Sequence, residues 1–335
     1  MAINDQPVTF AVLGCGRIGR MHAGVLARDP RSKLVSVFDV NDAAATETAA
    51  LLGVAKAANV DAVLSDPTIS AVLIASPTDT HVDLIIAAAR AGKAILCEKP
   101  IDLDMARVLA CQEAIKPYDV TVMIGFNRRF DPSFRALRER VVKGEIGTLE
   151  QVIITSRDPA PPAPHFVKAS GGMFRDMTIH DFDMARYLVG DIAEVHAFGG
   201  VLFDRMLGEM GDIDSAVISL RAKSGTLVQI NNTRRCVYGY DQRLEVFGSG
   251  GMLIAGNQRE TTVQSSTAGQ TGASDPLLYS FIQRYTDAYA AEVGHFVDCL
   301  KNGATPLTNF ADGVEALRVA EAAIESMKTG QTVRL

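Results

Sequence analysis

The chain has 335 residues, 47% of them hydrophobic and 21% charged, with a formal net charge of −6. That balance is globular and holds enough apolar material for two cores. The acidic total, with no block of like charge, argues against a nucleic-acid partner, which needs a concentrated basic surface.

The opening Met1–Pro7 has neither the basic start nor the apolar core of a secretory leader. No uncharged apolar run approaches the roughly 18–20 residues that span a bilayer. The five cysteines, Cys15, Cys97, Cys111, Cys236 and Cys299, are scattered, odd in number and form no CxxC pair. They read as reduced thiols of a cytoplasmic protein, and they support no zinc site.

The first 125 residues alternate apolar, β-rich runs with amphipathic stretches. Thr9–Leu13, Leu34–Phe38, Ala71–Ala75, Ala94–Cys97 and Thr121–Ile124 read as buried parallel strands. Helices are expected near Ile18–Ala27, Ala43–Leu52, Asp83–Ala91 and Met105–Ile115. The alternation predicts βαβ units and an α/β fold, a doubly wound Rossmann sheet over residues 1–125.

Beyond Gly125 a helix is expected at Pro132–Val142, ending at Lys143-Gly144. Strand-like runs follow at Gln151–Thr155, Val195–Phe203, Ser215–Leu220, Thr226–Asn231 and Arg243–Phe247, with a helix at Gly171–Leu188 between the first two. Residues 126–335 therefore read as an α+β domain on a mostly antiparallel, open-faced sheet that packs on another subunit. Asp158–Pro164 is a proline-rich loop. Gln258–Asp275 is a loop or weak edge, and Glu292–Leu300 and Ala311–Met327 read as closing helices.

Gly14-Cys15-Gly16-Arg17-Ile18-Gly19 is a GxGxxG between the first strand and its helix. The first glycine permits the tight turn, the second lets a pyrophosphate approach, and the third lets helix and strand pack closely. The helix start, with Arg17 and Ile18, offers amides to phosphates. Alone the motif is also an ordinary glycine-rich turn. Asp39 ends the second strand twenty residues after Gly19, placed to accept hydrogen bonds from an adenosine ribose. No Arg or Lys follows in Val40-Asn41-Asp42 to take a 2′-phosphate, so NAD is favoured over NADP. Ser76-Pro77-Thr78-Asp79-Thr80-His81 follows the third strand. It reads equally as a helix cap and as a cofactor contact through Ser76, Thr78 and His81.

Glu98-Lys99-Pro100 closes the fourth strand, with Glu98 on the cofactor side. Lys99 there can hydrogen-bond a substrate hydroxyl, although the tripeptide alone favours a solvated lysine. Asp176 and His180 are four apart in an expected helix and share one face, with Asp183 three beyond. Histidine is the usual acid/base residue near neutral pH. An acidic, capped helix start is the competing reading.

These motifs in this order resemble the Gfo/Idh/MocA oxidoreductase family over essentially the whole chain. Gly14–Gly19, Asp39, Glu98–Pro100, Gly125–Pro132 (GFNRRFDP) and Ser170–Asp183 (SGGMFRDMTIHDFD) carry the resemblance. Within it, GFNRRFD at Gly125–Asp131, the DxxIHDxD helix at Asp176–Asp183 and Tyr238-Gly239-Tyr240-Asp241 are most similar to the inositol 2-dehydrogenase branch. The Ser76–His81 loop departs from some of that branch.

The resemblance implies an NAD-dependent oxidation of a cyclic polyol hydroxyl to a ketone by direct hydride transfer, in a homotetramer. Lys99 would contact the reacting hydroxyl, with Pro100 preceded by a cis peptide. Asp176 and His180 would be the acid/base pair, and Arg128, Asp158, Asp183 and Tyr240 would line the polyol site. Other readings are a scyllo-inositol or aldose dehydrogenase of the same family and a non-catalytic NAD-binding sensor. A zinc alcohol dehydrogenase lacks its ligand set here.

Overall fold

The structure is a computed structural model whose described residues are Gln6–Leu335; Met1–Asp5, where most of the leader reading falls, lie outside them. In chain order the first elements are β1 (Val8–Leu13), α1 (Arg17–Arg28), β2 (Ser32–Phe38), α2 (Asp42–Leu52), β3 (Ala55–Lys56), α3 (Val60–Ser65), β4 (Ala71–Ile74), α4 (His81–Arg90), β5 (Ala94–Glu98), α5 (Met105–Ile115) and β6 (Val122–Gly125). There follow α6 (Pro132–Val142), β7 (Leu149–Arg157), α7 (Pro164–Ser170), α8 (Met173–Asp176), α9 (Ile179–Val189), β8 (Ile192–Gly200), α10 (Arg205–Glu209), β9 (Ser215–Ala222), β10 (Leu227–Thr233), β11 (Asp241–Gly248) and β12 (Gly251–Ala255). The last are β13 (Gln264–Ser265), β14 (Ala273–Ser274), α11 (Phe281–Arg284), α12 (Thr286–Asn302), α13 (Phe310–Thr329) and β15 (Val333–Arg334).

Packing divides the chain into two compact units, Met1–Phe130 with Asp287–Leu317, and Asp131–Thr286 with Arg318–Leu335. The stretch Asp287–Leu317 thus returns to the first unit, because α12 has an apolar face for it. Val293, Phe296 and Val297 of α12 are fully buried in the cluster around Phe10, Val12, Leu26, Val37 and Leu73. Composition carries no mark of that return.

In the first unit six strands lie in the order β3-β2-β1-β4-β5-β6, and every pair is parallel. Phe10–Leu13 and Ala71–Ile74 are buried on both faces, which is why these runs are apolar without alternation. The order reverses between β1 and β4. Such a reversal opens a ligand crevice at the carboxyl ends of the two strands.

The second unit is built on a sheet ordered β12-β11-β7-β10-β9-β8-β15. Its β7–β10 pair is parallel and the other pairs are antiparallel. One face, with Val152, Ile154, Val228, Ile230, Ile218, Leu220, Leu244 and Val246, is buried, and α9 packs against β7. The cross-strand partners put Ile153, Phe198, Val217, Leu227, Phe247, Met252 and Ile254 on the other face. There they are 37–67% exposed.

The structure adds short elements that the sequence reading lacks, among them α7, α10, α11 and β15. Between α2 and β4 it adds β3 and α3, and beyond β11 it adds β12. The helix expected at Gly171–Leu188 is two helices, α8 and α9, interrupted at Met177-Thr178. The Thr178 N–H reaches back five residues to the Met173 carbonyl, and its hydroxyl donates to Asn232 Oδ1 at 2.7 Å.

Candidate active site

The glycine-rich turn lies at the carboxyl end of β1. Gly14 has φ +105°, and a Cβ there would meet the Ala75 carbonyl carbon and oxygen at 2.5 Å. A Cβ on Gly19 would stand 1.9 Å from the Gly14 carbonyl oxygen. A Cβ on Gly16 would meet nothing within 4 Å. Two glycines therefore close the turn against its own backbone, and the middle one faces open space, where a ligand can approach. Gly16 is also the N-cap of α1, and no side chain caps that helix. Its first amides, around Arg17 and Ile18, are the donors a pyrophosphate takes. The residues present fit a dinucleotide.

Asp39 follows β2 and binds the turn from the side. Its Oδ2 accepts from the Cys15 N–H at 2.6 Å and its Oδ1 from the Asn41 N–H at 2.7 Å. The carboxylate is thus fixed beside the glycines before any ribose arrives. Ser76 Oγ and Thr80 Oγ1 lie 2.7 Å apart in the loop after β4, and Thr78 opens a single 3-10 turn there. His81 is 1% exposed. Its ring nitrogens lie 2.8 Å from the Pro100 carbonyl and 2.9 Å from the Ser76 carbonyl. The imidazole ties the loop after β4 to the turn after β5, a bracing position for a residue read as a cofactor contact. Burial pushes its pKa down against those two hydrogen bonds.

β5 ends on Glu98, and the turn after it carries half-buried Lys99 and buried Pro100, with Lys99-Pro100 cis. Glu98 Oε1 lies 2.7 Å from His22 Nε2 on α1, so the carboxylate leans on a helix of its own unit. Arg128 is also in this unit, 5% exposed.

Asp158, Asp176, His180, Asp183 and Tyr240 belong to the second unit. Asp176 closes α8 and His180 lies in the first turn of α9, both half-buried. Asp183 is 1% exposed on α9. Tyr240 is buried, with its ring edge-on to Tyr285 at 6.0 Å. Asp158 follows β7, and its N–H donates to the Thr233 carbonyl.

Four buried polar residues of this unit escape the sequence reading. Arg234 is 1% exposed, with Nη1 3.5 Å from Asp176 Oδ2 and Nη2 3.3 Å from Asp212 Oδ2. Asp212 Oδ1 in turn accepts the Met173 N–H at the start of α8. Asn232 Nδ2 donates to Asp181 Oδ2 at 2.9 Å. These contacts hold α8 and α9 from below. One signal was available: Val228, Ile230 and Asn232 alternate inward along β10, and Arg234 continues the series, so polar groups occupy an apolar register.

Asp241, which follows Tyr240, is fully buried. Burial works to raise its carboxyl pKa, but hydrogen bonds from Arg243, Asn257 and Tyr238 outweigh it and hold the group below its usual range.

Residues 8–126 match the model of an oxidoreductase family with an NAD-binding Rossmann fold, and residues 134–254 match the GFO/IDH/MocA C-terminal domain. The chain belongs to the Gfo/Idh/MocA oxidoreductase family. As a Gfo/Idh/MocA member it is an NAD-dependent oxidoreductase. An inositol 2-dehydrogenase of Rhizobium meliloti is 47% identical over 321 residues, 96% of this chain and 97% of that one. A myo-inositol dehydrogenase structure from Corynebacterium glutamicum superposes with TM-score 0.95 at 47% identity, covering 98% of this chain and 99% of that one. A scyllo-inositol dehydrogenase from Lactobacillus casei, solved with NAD(H) and scyllo-inositol bound, gives TM-score 0.90 at 29% identity, covering 98% and 99%. Among the described residues no helix is long and apolar enough to cross a membrane. All five cysteines are buried free thiols.

Proposed function

We propose that this chain is a myo-inositol 2-dehydrogenase, oxidising one ring hydroxyl of the polyol to a ketone. The observation that carries the reading is the 47% identity to an inositol 2-dehydrogenase across both units. His180 accepts the hydroxyl proton, because histidine changes protonation near neutral pH. Asp176, whose carboxylate pairs with Arg234, orients that base. Lys99 donates to the reacting hydroxyl. Arg128, Asp158, Asp183 and Tyr240 recognise the remaining hydroxyls, and each missing hydroxyl would leave a buried polar group unpaired. The cofactor, held by Gly14–Gly19 and Asp39 with Ser76, Thr78 and Glu98 alongside, supplies the hydride acceptor.

NAD is preferred to NADP, since Asp39 repels a 2′-phosphate and no cation follows it in Val40-Asn41-Asp42. The chain works as a cytoplasmic homotetramer; its five free thiols and the exposed apolar sheet face support that reading.

The bound scyllo-inositol in the Lactobacillus casei enzyme favours a second reading, in which the scyllo epimer is the substrate. NAD⁺ reduction measured against myo-inositol, scyllo-inositol, D-glucose and D-xylose tests both. The first reading expects the highest kcat/KM with myo-inositol. Preference for scyllo-inositol selects the second, and turnover of the aldoses alone rejects both.

A further inference from the structure

Glu292 of α12 is fully buried, and neither oxygen of its carboxyl has a hydrogen-bond partner. It faces His22 of α1 and Glu98 of β5, one ligand-type atom from each lying within 4.8 Å of the others. His22 Nε2 is 2.7 Å from Glu98 Oε1, while His22 Nδ1 is buried with no partner. Tyr289, one turn before Glu292, sets its ring edge-on to His22 at 5.3 Å. Among the described residues, α1, β5 and α12 bring the titratable His22, Glu98 and Tyr289 to this cluster.

Two carboxylates this close in a buried site do not both ionise. Glu98 lies within hydrogen-bond distance of His22 and keeps some exposure, 15% of its side chain, whereas both oxygens of Glu292 are buried without a partner. We propose that Glu292 is a resident neutral carboxylic acid, a buried proton-binding site beside the His22–Glu98 pair. Desolvation first, and the Glu98 charge second, push the Glu292 pKa well above its usual range.

A divalent cation is the rival occupant, and the geometry disfavours it. Ligands at about 2.0–2.2 Å from a tetrahedral ion stand more than about 3 Å apart. The 2.7 Å separation of His22 and Glu98 is instead that of a direct hydrogen bond. A ligating histidine also donates its second ring N–H to a partner, which Nδ1 of His22 lacks.

The proposal does not depend on which polyol is turned over. Unfolded Glu292 ionises near pH 4.3, about the ordinary glutamate value, so folding above that pH must take up a proton. A raised folded pKa gives stability that is present below the unfolded value and lost as pH rises toward the folded one. Glu292→Gln keeps the shape and cannot ionise. The melting temperature of Glu292→Gln minus that of the full-length wild type is expected to be smallest below about pH 4.3 and to widen in favour of Gln as pH rises above it. Infrared spectra of the wild type at neutral pH should also show a protonated-carboxyl stretch that Glu292→Gln lacks. A pH-independent melting difference, or the absence of that stretch from the wild type, would overturn the proposal. So would one equivalent of divalent metal in the purified wild type that Glu292→Gln loses. If Glu292→Gln does not fold, Glu292→Leu serves as the non-ionising comparison, and absence of the stretch from the wild type overturns the proposal by itself.

Discussion

Asp39 ties the glycine-rich turn to the end of β2, and cofactor specificity is the role proposed for the same side chain. It accepts two backbone N–H groups around the glycine-rich turn, at 2.6 and 2.7 Å, and it is the residue that would meet an adenosine ribose. A hydrogen bond to a charged acceptor contributes about 1.5–3 kcal/mol. Asp39→Ala should therefore weaken NADH binding roughly tenfold to hundredfold and narrow the gap between NAD⁺ and NADP⁺, read by fluorescence titration. Comparable kcat/KM for the two cofactors in the wild type would refute the assigned preference. The position of Asp39 was legible because its signal is local: a strand end at fixed spacing from three glycines. Arg234 was not, because its partners Asp176 and Asp212 lie 58 and 22 residues away in sequence. No spacing rule reaches that far. His81 was half legible, since its place after β4 was read correctly and the two carbonyls that engage its ring were not.

Elements were legible where periodicity or an unbroken apolar run marks them. The five runs read as parallel strands are five of the six strands of the first sheet, within two residues at either end. β3 escaped because Ala55-Lys56 is short and exposed and carries no pattern. The break between α8 and α9 escaped because Asn232, the acceptor that draws Thr178 out of helical pairing, lies on another strand. α6 was placed to the residue, and its start explains why. Pro132 occupies the first turn, and Asp131 accepts the Ser133 and Phe134 N–H groups at 3.1 Å. Asp131 also pairs with Arg284, both side chains being 1% exposed. Removing one partner of a buried pair costs about 3–5 kcal/mol, and a lost cap adds about 1. Asp131→Ala should destabilise the chain by roughly that sum in denaturant unfolding. A loss under about 1 kcal/mol would show that Arg284 finds another counter-charge or water.

At the scale of the whole molecule, the second sheet has one buried face and one on which large apolar side chains stay exposed. Leu227 and Phe247 are each 45% exposed and Ile254 is 60% exposed on the bare face. A patch of that kind marks an interface with another chain. If the proposed tetramer forms through this face, Leu227→Glu with Ile254→Lys should shift it to smaller species in light scattering, and a wild type that stays monomeric at micromolar concentration would contradict the proposed assembly. The open face was legible as a run of strands with few helices between them. Its register was not, because alternation tells which residues share a face and not which face is covered. The central claim is that the second unit's His180 takes the proton of a polyol hydroxyl while the first unit holds NAD⁺. Steady-state NADH formation from myo-inositol by wild type and His180→Ala, with NADH affinity measured on the same samples, tests it most directly. The account predicts turnover in the wild type, a kcat lowered about 10²–10⁴-fold in the variant, and NADH affinity nearly unchanged. Near-wild-type kcat in folded His180→Ala would contradict it.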